Sequence, residues 1–525
     1  MAVLNPEEEN FLKAVVRVSY ANPFLVERID FEREALDSDF DESQADWNLL
    51  GDDPETQQVN TRKLAERAYA LVSRIQAWLK KGLTISTRQL KLYEDTVLFL
   101  LYYHYAQRFK DRIVSPQKDR PYDYFNEFSH YWRHFFNHPV SHLPRQNEAA
   151  HIFACFFQVR RAFYYIFRAI IGRSRVAADL RATVWTSIFT HDMRRYRRSF
   201  YKRMADFTTL IIGPTGSGKE LVARAIGLSR YIPFDPNSLT FKEDFSETFF
   251  PINLSALPAT LIESELFGHR RGAFTGALQD RKGWLEVCPP VGTVFLDEIG
   301  ELDTLIQVKL LRVIQARTFQ PLGSTQTLNF RGKIVAATHR NVHQAMEQGE
   351  FRKDFYYRLC SDIITTPSLH QQIKESPEVL WDLASYLSLR VAGPEGETVA
   401  AEVKRWIRDH LGLDYTWPGN IRELEQCVRN VMLRREYYPA GDTVATFDDH
   451  QLTAFREGTL SLEELCQFYC SHVYAAAGSY LETARRLRID RRTVKRYVDK
   501  SCKPIRPTSS PRSDPLKSSE ARTAS

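Results

Sequence analysis

Thr209-Leu210-Ile211-Ile212-Gly213-Pro214-Thr215-Gly216-Ser217-Gly218-Lys219-Glu220 decides how this chain is read. The first four residues have the pattern of a short buried strand, the glycines and proline make a loop, and 221–227 continues as a helix. Strand, glycine-rich loop, lysine and helix in that order form a phosphate cradle. Backbone N–H groups converge on the anion, the helix dipole favours it, and Lys219 adds a full charge. The Ser or Thr that ordinarily follows the lysine and brings a hydroxyl to Mg²⁺ is replaced by Glu220. The metal is therefore expected to rest on phosphates, water and a carboxylate from elsewhere in the chain.

Gly292-Thr293-Val294-Phe295-Leu296-Asp297-Glu298 supplies that carboxylate: an apolar strand ending in two acids. At the carboxyl edge of a parallel sheet such a strand sets its acids beside a nucleotide. Asp297 is assigned to Mg²⁺, through water, and Glu298 to polarising the attacking water. Acids cap many strands, so the pair takes its meaning from the phosphate loop; together they point to nucleotide hydrolysis. Between the two motifs lies Gly272-Ala273-Phe274-Thr275-Gly276-Ala277, a loop with glycine near both ends that presents an aromatic ring and a hydroxyl. An exposed Phe in a loop needs a reason.

In this order, the phosphate loop, the hexapeptide and the Asp-Glu strand resemble the AAA+ domain of sigma-54-dependent transcriptional activators, the bacterial enhancer-binding proteins. The likeness spans roughly residues 190–435. It includes Leu261-Ile262-Glu263-Ser264-Glu265-Leu266-Phe267-Gly268-His269, Gly283-Trp284-Leu285-Glu286, Phe351-Arg352-Lys353-Asp354-Phe355-Tyr356-Tyr357-Arg358-Leu359 and Trp417-Pro418-Gly419-Asn420-Ile421-Arg422-Glu423-Leu424. Glu220 after the lysine is itself a trait of that family. The resemblance implies an ATP- and Mg²⁺-dependent ATPase, working as a homo-oligomer in a hexameric ring, whose Phe274 loop engages sigma-54 RNA polymerase. It further implies that Asn253 restrains Glu298 until the ring is engaged. Arg352 and Arg358 would reach into a neighbouring subunit's site to neutralise charge on the γ-phosphate. Outside the family pattern, either arginine is as readily part of a surface salt bridge. Arg422 would sense nucleotide from a small helical lid, and His339 occupies the position of a polar sensor. Two features depart from the pattern: Arg270 and Arg271 make the approach to the hexapeptide more basic, and Ser368-Leu369-His370-Gln371-Gln372-Ile373-Lys374-Glu375 lacks the family's Arg-rich linker.

The first 190 residues read as mostly helical from the apolar spacing in stretches such as 64–72 and 93–105, with an acidic loop expected over 37–55. Aromatics crowd the second half of this region, and a packed helical core is the favoured reading over a ligand pocket or partner surface. The basic run 191–203 is expected to be a solvated helix leading into the next domain. Toward the other end, 462–477, 480–487 and 491–498 read as three helices with Asp490 as an N-cap. Arg491, Arg492, Thr493, Lys495 and Arg496 make the last of them the recognition helix of a helix-turn-helix that binds double-stranded DNA.

At 525 residues the chain is too long for one core. A hydrophobic fraction of 43%, a charged fraction of 26% and a net charge of +6 describe a globular protein whose basic character is local. Seven dispersed cysteines fit a reducing cytoplasm. No signal peptide or membrane span is expected, since arginines interrupt the most aromatic run.

The expected protein is thus multidomain. It has a mostly α regulatory domain (1–190), an α/β AAA+ P-loop ATPase with a large subdomain (191–370) and a small helical lid (371–440), a linker (441–460), an all-α helix-turn-helix domain (461–500) and a disordered tail (501–525). Its expected function is sigma-54-dependent activation of transcription. The competing readings are a nucleotide-responsive DNA-binding repressor that does not act on sigma-54, and an ATPase acting on another protein.

Overall fold

A parallel sheet carries the decisive loop. The computed structural model describes residues 3–45, 58–83, 85–116, 120–137, 148–439, 457–477 and 480–501. Its central sheet is built from β1 (Thr209–Ile212), β2 (Phe249–Asn253), β3 (Thr293–Asp297), β4 (Lys333–Thr338) and β5 (Asp362–Thr365), in the order β2-β3-β4-β1-β5. All four pairings are parallel. Parallel strands need covered crossovers and are buried on both faces, which is why β1, β3 and β4 read as near-continuous apolar runs; every residue of β4 is buried. The register sets Ile212 opposite both Thr338 and Thr365, and Asn253 opposite Asp297. The loops that follow β1, β3, β4 and β5 therefore leave the sheet along one edge.

The first half of the chain is helical as its spacing predicts: α1 (Pro6–Tyr20), α2 (Val26–Leu36), α3 (Gln58–Lys80), α4 (Thr87–Val114), α5 (Tyr124–Phe136), α6 (Ala149–Ala169), α7 (Arg175–Phe189) and α8 (Met193–Arg198). The acidic segment contains two 3-10 turns, Asp37–Asp39 and Glu42–Gln44, and its remainder, 46–55, lies outside the described residues. The aromatics are buried together; Phe125, Phe128, Trp132, Phe153 and Phe157 all belong to one core cluster.

The basic run is only partly solvated: Arg195, Arg198, Lys202 and Arg203 are exposed, but two of its arginines are not. Arg194 donates to Asp95 at 2.7 Å and Arg197 to Glu94 at 2.9 Å, so two of its charges face carboxylates on α4 that lie about a hundred residues earlier in the chain.

Helical region and sheet share their packing. Residues Met1–Arg435 form one compact unit, and the expected boundary at 190 is a boundary in chain order only. Ile166, Trp185 and Phe189 lie in the same core cluster as Ile211 of β1 and Val222 and Ile226 of α9 (Lys219–Leu228). A short antiparallel hairpin, Phe234–Asp235 with Thr240–Phe241, carries Phe234 and Phe241 into the aromatic cluster, at 4.7 Å from Phe153 and 4.6 Å from Phe157. The C-terminus of α9 is gripped by α6. Buried Arg161 donates to the carbonyls of Leu228 (2.9 Å) and Arg230 (2.6 Å), and Gln158 donates to the carbonyl of Ser229 (2.9 Å). A cation on the orphan carbonyls of a helix end is favourable both as hydrogen bonding and against the helix dipole.

The lid consists of Glu378–Ala392, Gly396–His410 and Asn420–Arg434, which pack on one another. Leading into it is helix Leu369–Glu375, capped by Ser368 in a reciprocal capping box with Gln371.

Residues Glu436–Ser525 form a second unit. Its three helices, Leu462–Ala477, Tyr480–Leu487 and Arg491–Ser501, enclose Cys470, Ala484, Val494 and Val498. The third runs to Ser501, past the expected end at 498. Asp490 caps it as predicted, its carboxylate accepting from Arg492 N at 2.7 Å. Residue 440 at the end of the expected lid, most of the expected linker, 441–456, and the tail with Cys502, 502–525, lie outside the described residues. Among the described residues no helix is long and apolar enough to cross a membrane.

One charge is buried at the foot of the sheet. Lys333 opens β4, is 2% exposed, and donates to the carbonyl of Phe207 at 2.7 Å. Burial pulls its pKa from 10.5 down to about 7, against the pull of Asp362. Between those values the unfolded chain holds a proton that the folded chain has released, so this residue's contribution to stability rises with pH through that window and is lowest below it. Denaturant melts of the native chain and Lys333→Met at several pH values should show the native chain gaining relative to the variant from pH 7 to 10. A difference that stays flat would contradict the assignment.

Candidate functional site

Each strand end contributes one piece. After β1 the chain turns through Gly213 to Gly218 and enters α9 with Lys219 as its first residue. Lys219 is buried, and its ammonium donates to the carbonyls of Gly213 (3.0 Å) and Pro214 (3.2 Å) within the loop it serves. It stands 4.0 Å from the Glu298 carboxylate. Burial holds the Lys219 ammonium below the ordinary lysine range; Glu298 and Asp297 pull it back up, and the Arg422 charge adds repulsion. After β3, Asp297 accepts from Glu298 N at 3.1 Å, and Glu298 takes a left-handed backbone, φ 57°. Burial and the adjacent Glu298 raise the Asp297 carboxyl above the usual carboxylate range, with Lys219 opposing. Two neighbouring acids with one ammonium between them form a pocket of uncompensated negative charge, which fits a divalent cation. Among the described residues no group of three or more His, Cys, Asp or Glu that could hold a metal ion comes together. Glu220 is exposed on the first turn of α9.

The expected contact between Asn253 and Glu298 is not made. Asn253 Oδ1 accepts instead from Ser255 N (3.0 Å) and Ser255 Oγ (2.8 Å), capping the turn after β2. Glu298 is held by His339, the first residue after β4, which donates from its backbone N (3.2 Å) and lies with Nδ1 at 2.7 Å. The register explains the difference: β3 lies between β2 and β4, and the left-handed turn at Glu298 places the carboxylate on the His339 side.

The lid meets the loop through a residue that motif reading passed over. Asn420, 3% exposed, donates from Nδ2 to the carbonyl of Thr215 (3.0 Å) and accepts at Oδ1 from Leu369 N (2.8 Å). Ile421 N donates to the carbonyl of Gly216 at 3.1 Å. A Cβ on Gly216, where φ is +77°, would come within 2.3 Å of the Gly419 carbonyl and 3.1 Å of Arg422 Cβ, so only glycine admits this approach. Arg422 Cβ is thereby set beside Gly216 of the phosphate loop. Thr366, one residue past β5, was also missed: its Oγ1 meets Ser217 Oγ at 2.7 Å. The signal for both was the Trp417 to Leu424 motif and the Thr-Pro pair, whose contacts lie far away in sequence.

Arg352 and Arg358 are not brought to this cluster within the chain. Arg352 is forked onto Asp354 (3.0 and 2.8 Å) on the exposed start of helix Lys353–Leu359, and Arg358 is exposed at its end, with its carbonyl accepting from Thr208 Oγ1.

The hexapeptide lies on a built stalk. His269 and Arg281 exchange backbone hydrogen bonds (2.9 and 2.8 Å), and Gly268 and Arg270 bond with Leu322 beside a second hairpin. Above them the loop closes on itself, Gly272 N donating to Ala277 O at 2.9 Å. Phe274 is 40% exposed, with its ring edge-on to His269 at 5.0 Å. In the second unit, Arg491, Arg492, Lys495 and Arg496 are exposed and Thr493 half-buried; Arg492, Thr493 and Arg496 lie on the side of the helix away from buried Val494 and Val498.

A sheet in this order, with a phosphate loop after β1, an Asp-Glu pair after β3, a polar residue reading the acid after β4 and a helical lid on the loop, defines a P-loop ATPase module of the AAA+ class. Residues 189–365 match the family model described as Sigma-54 interaction domain. The chain thus carries a segment that matches that domain. Over 231 residues it is 41% identical to the Nif-specific regulatory protein of Azotobacter vinelandii, covering 44% of this chain and 40% of that one. It is 38% identical over 296 residues to transcriptional regulatory protein ZraR of Klebsiella oxytoca (55% and 62% covered), and 41% over 228 residues to GlrR of Escherichia coli (strain K12; 43% and 47%). The chain thus spans between 40% and 62% of the length of these relatives. A crystal structure of NtrX from Brucella abortus in complex with ATP is 20% identical with a TM-score of 0.38, covering 68% of this chain and 76% of that one.

Asn420 ties the lid to the loop, so Asn420→Ala should leave a buried carbonyl and a buried N–H unsatisfied, a loss of about 1–3 kcal/mol. Titration with a fluorescent ATP analogue should show affinity reduced about tenfold or more, while unchanged affinity would mean that the lid contact does not shape the loop.

Proposed function

We propose that this protein is a sigma-54-dependent transcriptional activator of the cytoplasm. In this reading the C-terminal unit binds double-stranded DNA upstream of a promoter, subunits assemble as a ring, and ATP hydrolysis drives the Phe274 loop against sigma-54 RNA polymerase to remodel the closed complex. The observation that carries the proposal is the Glu298 carboxylate beside Lys219 at the mouth of the phosphate loop, on a chain that also bears the complete hexapeptide. The loop amides and Lys219 bind and orient the triphosphate, and Glu298 accepts a proton from the attacking water once His339 releases it. Mg²⁺, when bound beside Asp297, supplies charge neutralisation for the phosphates. The exposure of Arg352 and Arg358 suits residues that complete a neighbour's site in a six-fold ring, where a guanidinium stabilises charge on the γ-phosphate. The exposed basic face of helix Arg491–Ser501 suits a recognition helix in the major groove.

A nucleotide-responsive repressor would need neither a general base nor the hexapeptide. Glu298→Gln should retain ATP binding and lose turnover by about 10²–10⁴-fold; hydrolysis at the native rate would remove Glu298 from the chemistry. Phe274→Ala should keep its ATPase rate and fail to open a promoter with sigma-54 RNA polymerase in a permanganate footprint. Full opening by that variant would favour the repressor or another protein target.

A further inference from the structure

Beside the packed aromatic core lies a cavity of about 470 Å³, within the range of roughly 300–1,000 Å³ that takes a small organic ligand. Its wall is largely aromatic, with Phe99 and Tyr102 from α4, Phe156 and Phe163 from α6, and Trp185 and Phe189 from α7. Cores pack to the density of organic crystals, and voids of this size are rare. Here Tyr102 stands edge-on to Phe156 at 5.5 Å and Phe163 is tilted against Trp185 at 5.0 Å, and the space between the helices is open.

Most of the charges around the cavity are already matched, although among the described residues the buried Nε of Arg160 has no hydrogen-bond partner. Asp95 accepts from Tyr20 Oη (2.5 Å) and Arg194 (2.7 Å), Arg197 donates to Glu94 (2.9 Å), Arg28 donates to Glu32 (2.7 Å), and Arg160 is engaged within the protein. A charged ligand would have to break one of these pairs or bury its own charge unpaired, and either costs several kcal/mol. The chemistry therefore selects an uncharged molecule with aromatic surface.

The position of the cavity gives it a consequence. Phe156, Val159 and Phe163 line it from α6, while Gln158 and Arg161 on the same turns of that helix hold the carbonyls at the end of α9, the helix that begins with Lys219. Tyr196, also in the wall, bonds with Gln158 at 2.6 Å. Trp185 and Phe189 line it from α7, whose Ser187 donates to Asp362 of β5 at 2.5 Å. We propose that this cavity binds an uncharged aromatic small molecule and that its occupancy is transmitted through α6 to the phosphate-binding helix.

The test uses the full chain and two dyes: neutral 1-aminoanthracene, and anionic anilinonaphthalene sulfonate as comparator. The neutral dye should bind saturably with one site per chain and a Kd of tens of micromolar or tighter, and at least tenfold better than the anionic one. Absence of saturable binding, or preference for the anion, overturns the proposal. Ala106→Phe and Ala21→Phe each project a ring into the cavity, and cooperative thermal melts verify that the variants fold. Either folded variant should lose dye binding at least tenfold, while native affinity in a folded variant places the dye elsewhere and overturns the site. Hydrogen exchange of the 219–230 amides should change at least twofold on saturation with the neutral dye, with no nucleotide present. Binding without that change would sink the transmission to α9, and because neither readout involves ATP turnover, failure here is distinct from failure of the ATPase reading.

Discussion

The constraint on which the molecule depends is that β1 is an interior strand of a parallel sheet. Interior parallel strands must be apolar on both faces and must leave the sheet at its carboxyl edge before crossing over. Thr209–Ile212 satisfies the first condition through burial between β4 and β5. The second delivers Gly213–Lys219 to the edge where Asp297, Glu298, His339 and Thr366 also emerge. A one-residue slip of β3 against its neighbours would turn the acids to the opposite face. The site therefore follows from strand register, with side chains from four separated segments made neighbours by a single sheet edge.

Two bodies hold the phosphate loop from outside it. The lid reaches Thr215 and Gly216 through Asn420 and Ile421, and α6 holds the far end of the helix that the loop begins. Both contacts end on backbone carbonyls, which have no side chain to vary and whose positions move only with the loop or helix itself. Glu298 adds a third restraint, since its carboxylate is occupied by His339 in this structure and its left-handed backbone is a conformation most residues avoid.

Local sequence made the phosphate loop, the Asp-Glu strand and the hexapeptide legible, because each is contiguous and its chemistry depends on adjacent residues. Helices with strong apolar spacing were legible for the same reason. What local reading lacked were partners distant in the chain. Arg194 and Arg197 read as a solvated basic run, yet their carboxylates are on α4. Asn420 was visible within a motif without its role, which depends on Thr215, 205 residues away. Asn253 was assigned to Glu298 by resemblance, and the structure gives that carboxylate to His339. The hairpin at 234–241 has strands of two residues each, too short for periodicity to register. The aromatic run read correctly as a core, but a core and a cavity within it have the same composition.

The central claim is that nucleotide bound at Lys219 alters the loop that carries Phe274. Hydrogen–deuterium exchange across 268–283, compared in the nucleotide-free protein and in Glu298→Gln saturated with ATP, addresses it most directly. The account predicts altered exchange around the His269–Arg281 stalk and the hexapeptide with ATP, and none in the same chain carrying Lys219→Ala as well. Identical exchange with and without ATP would contradict it.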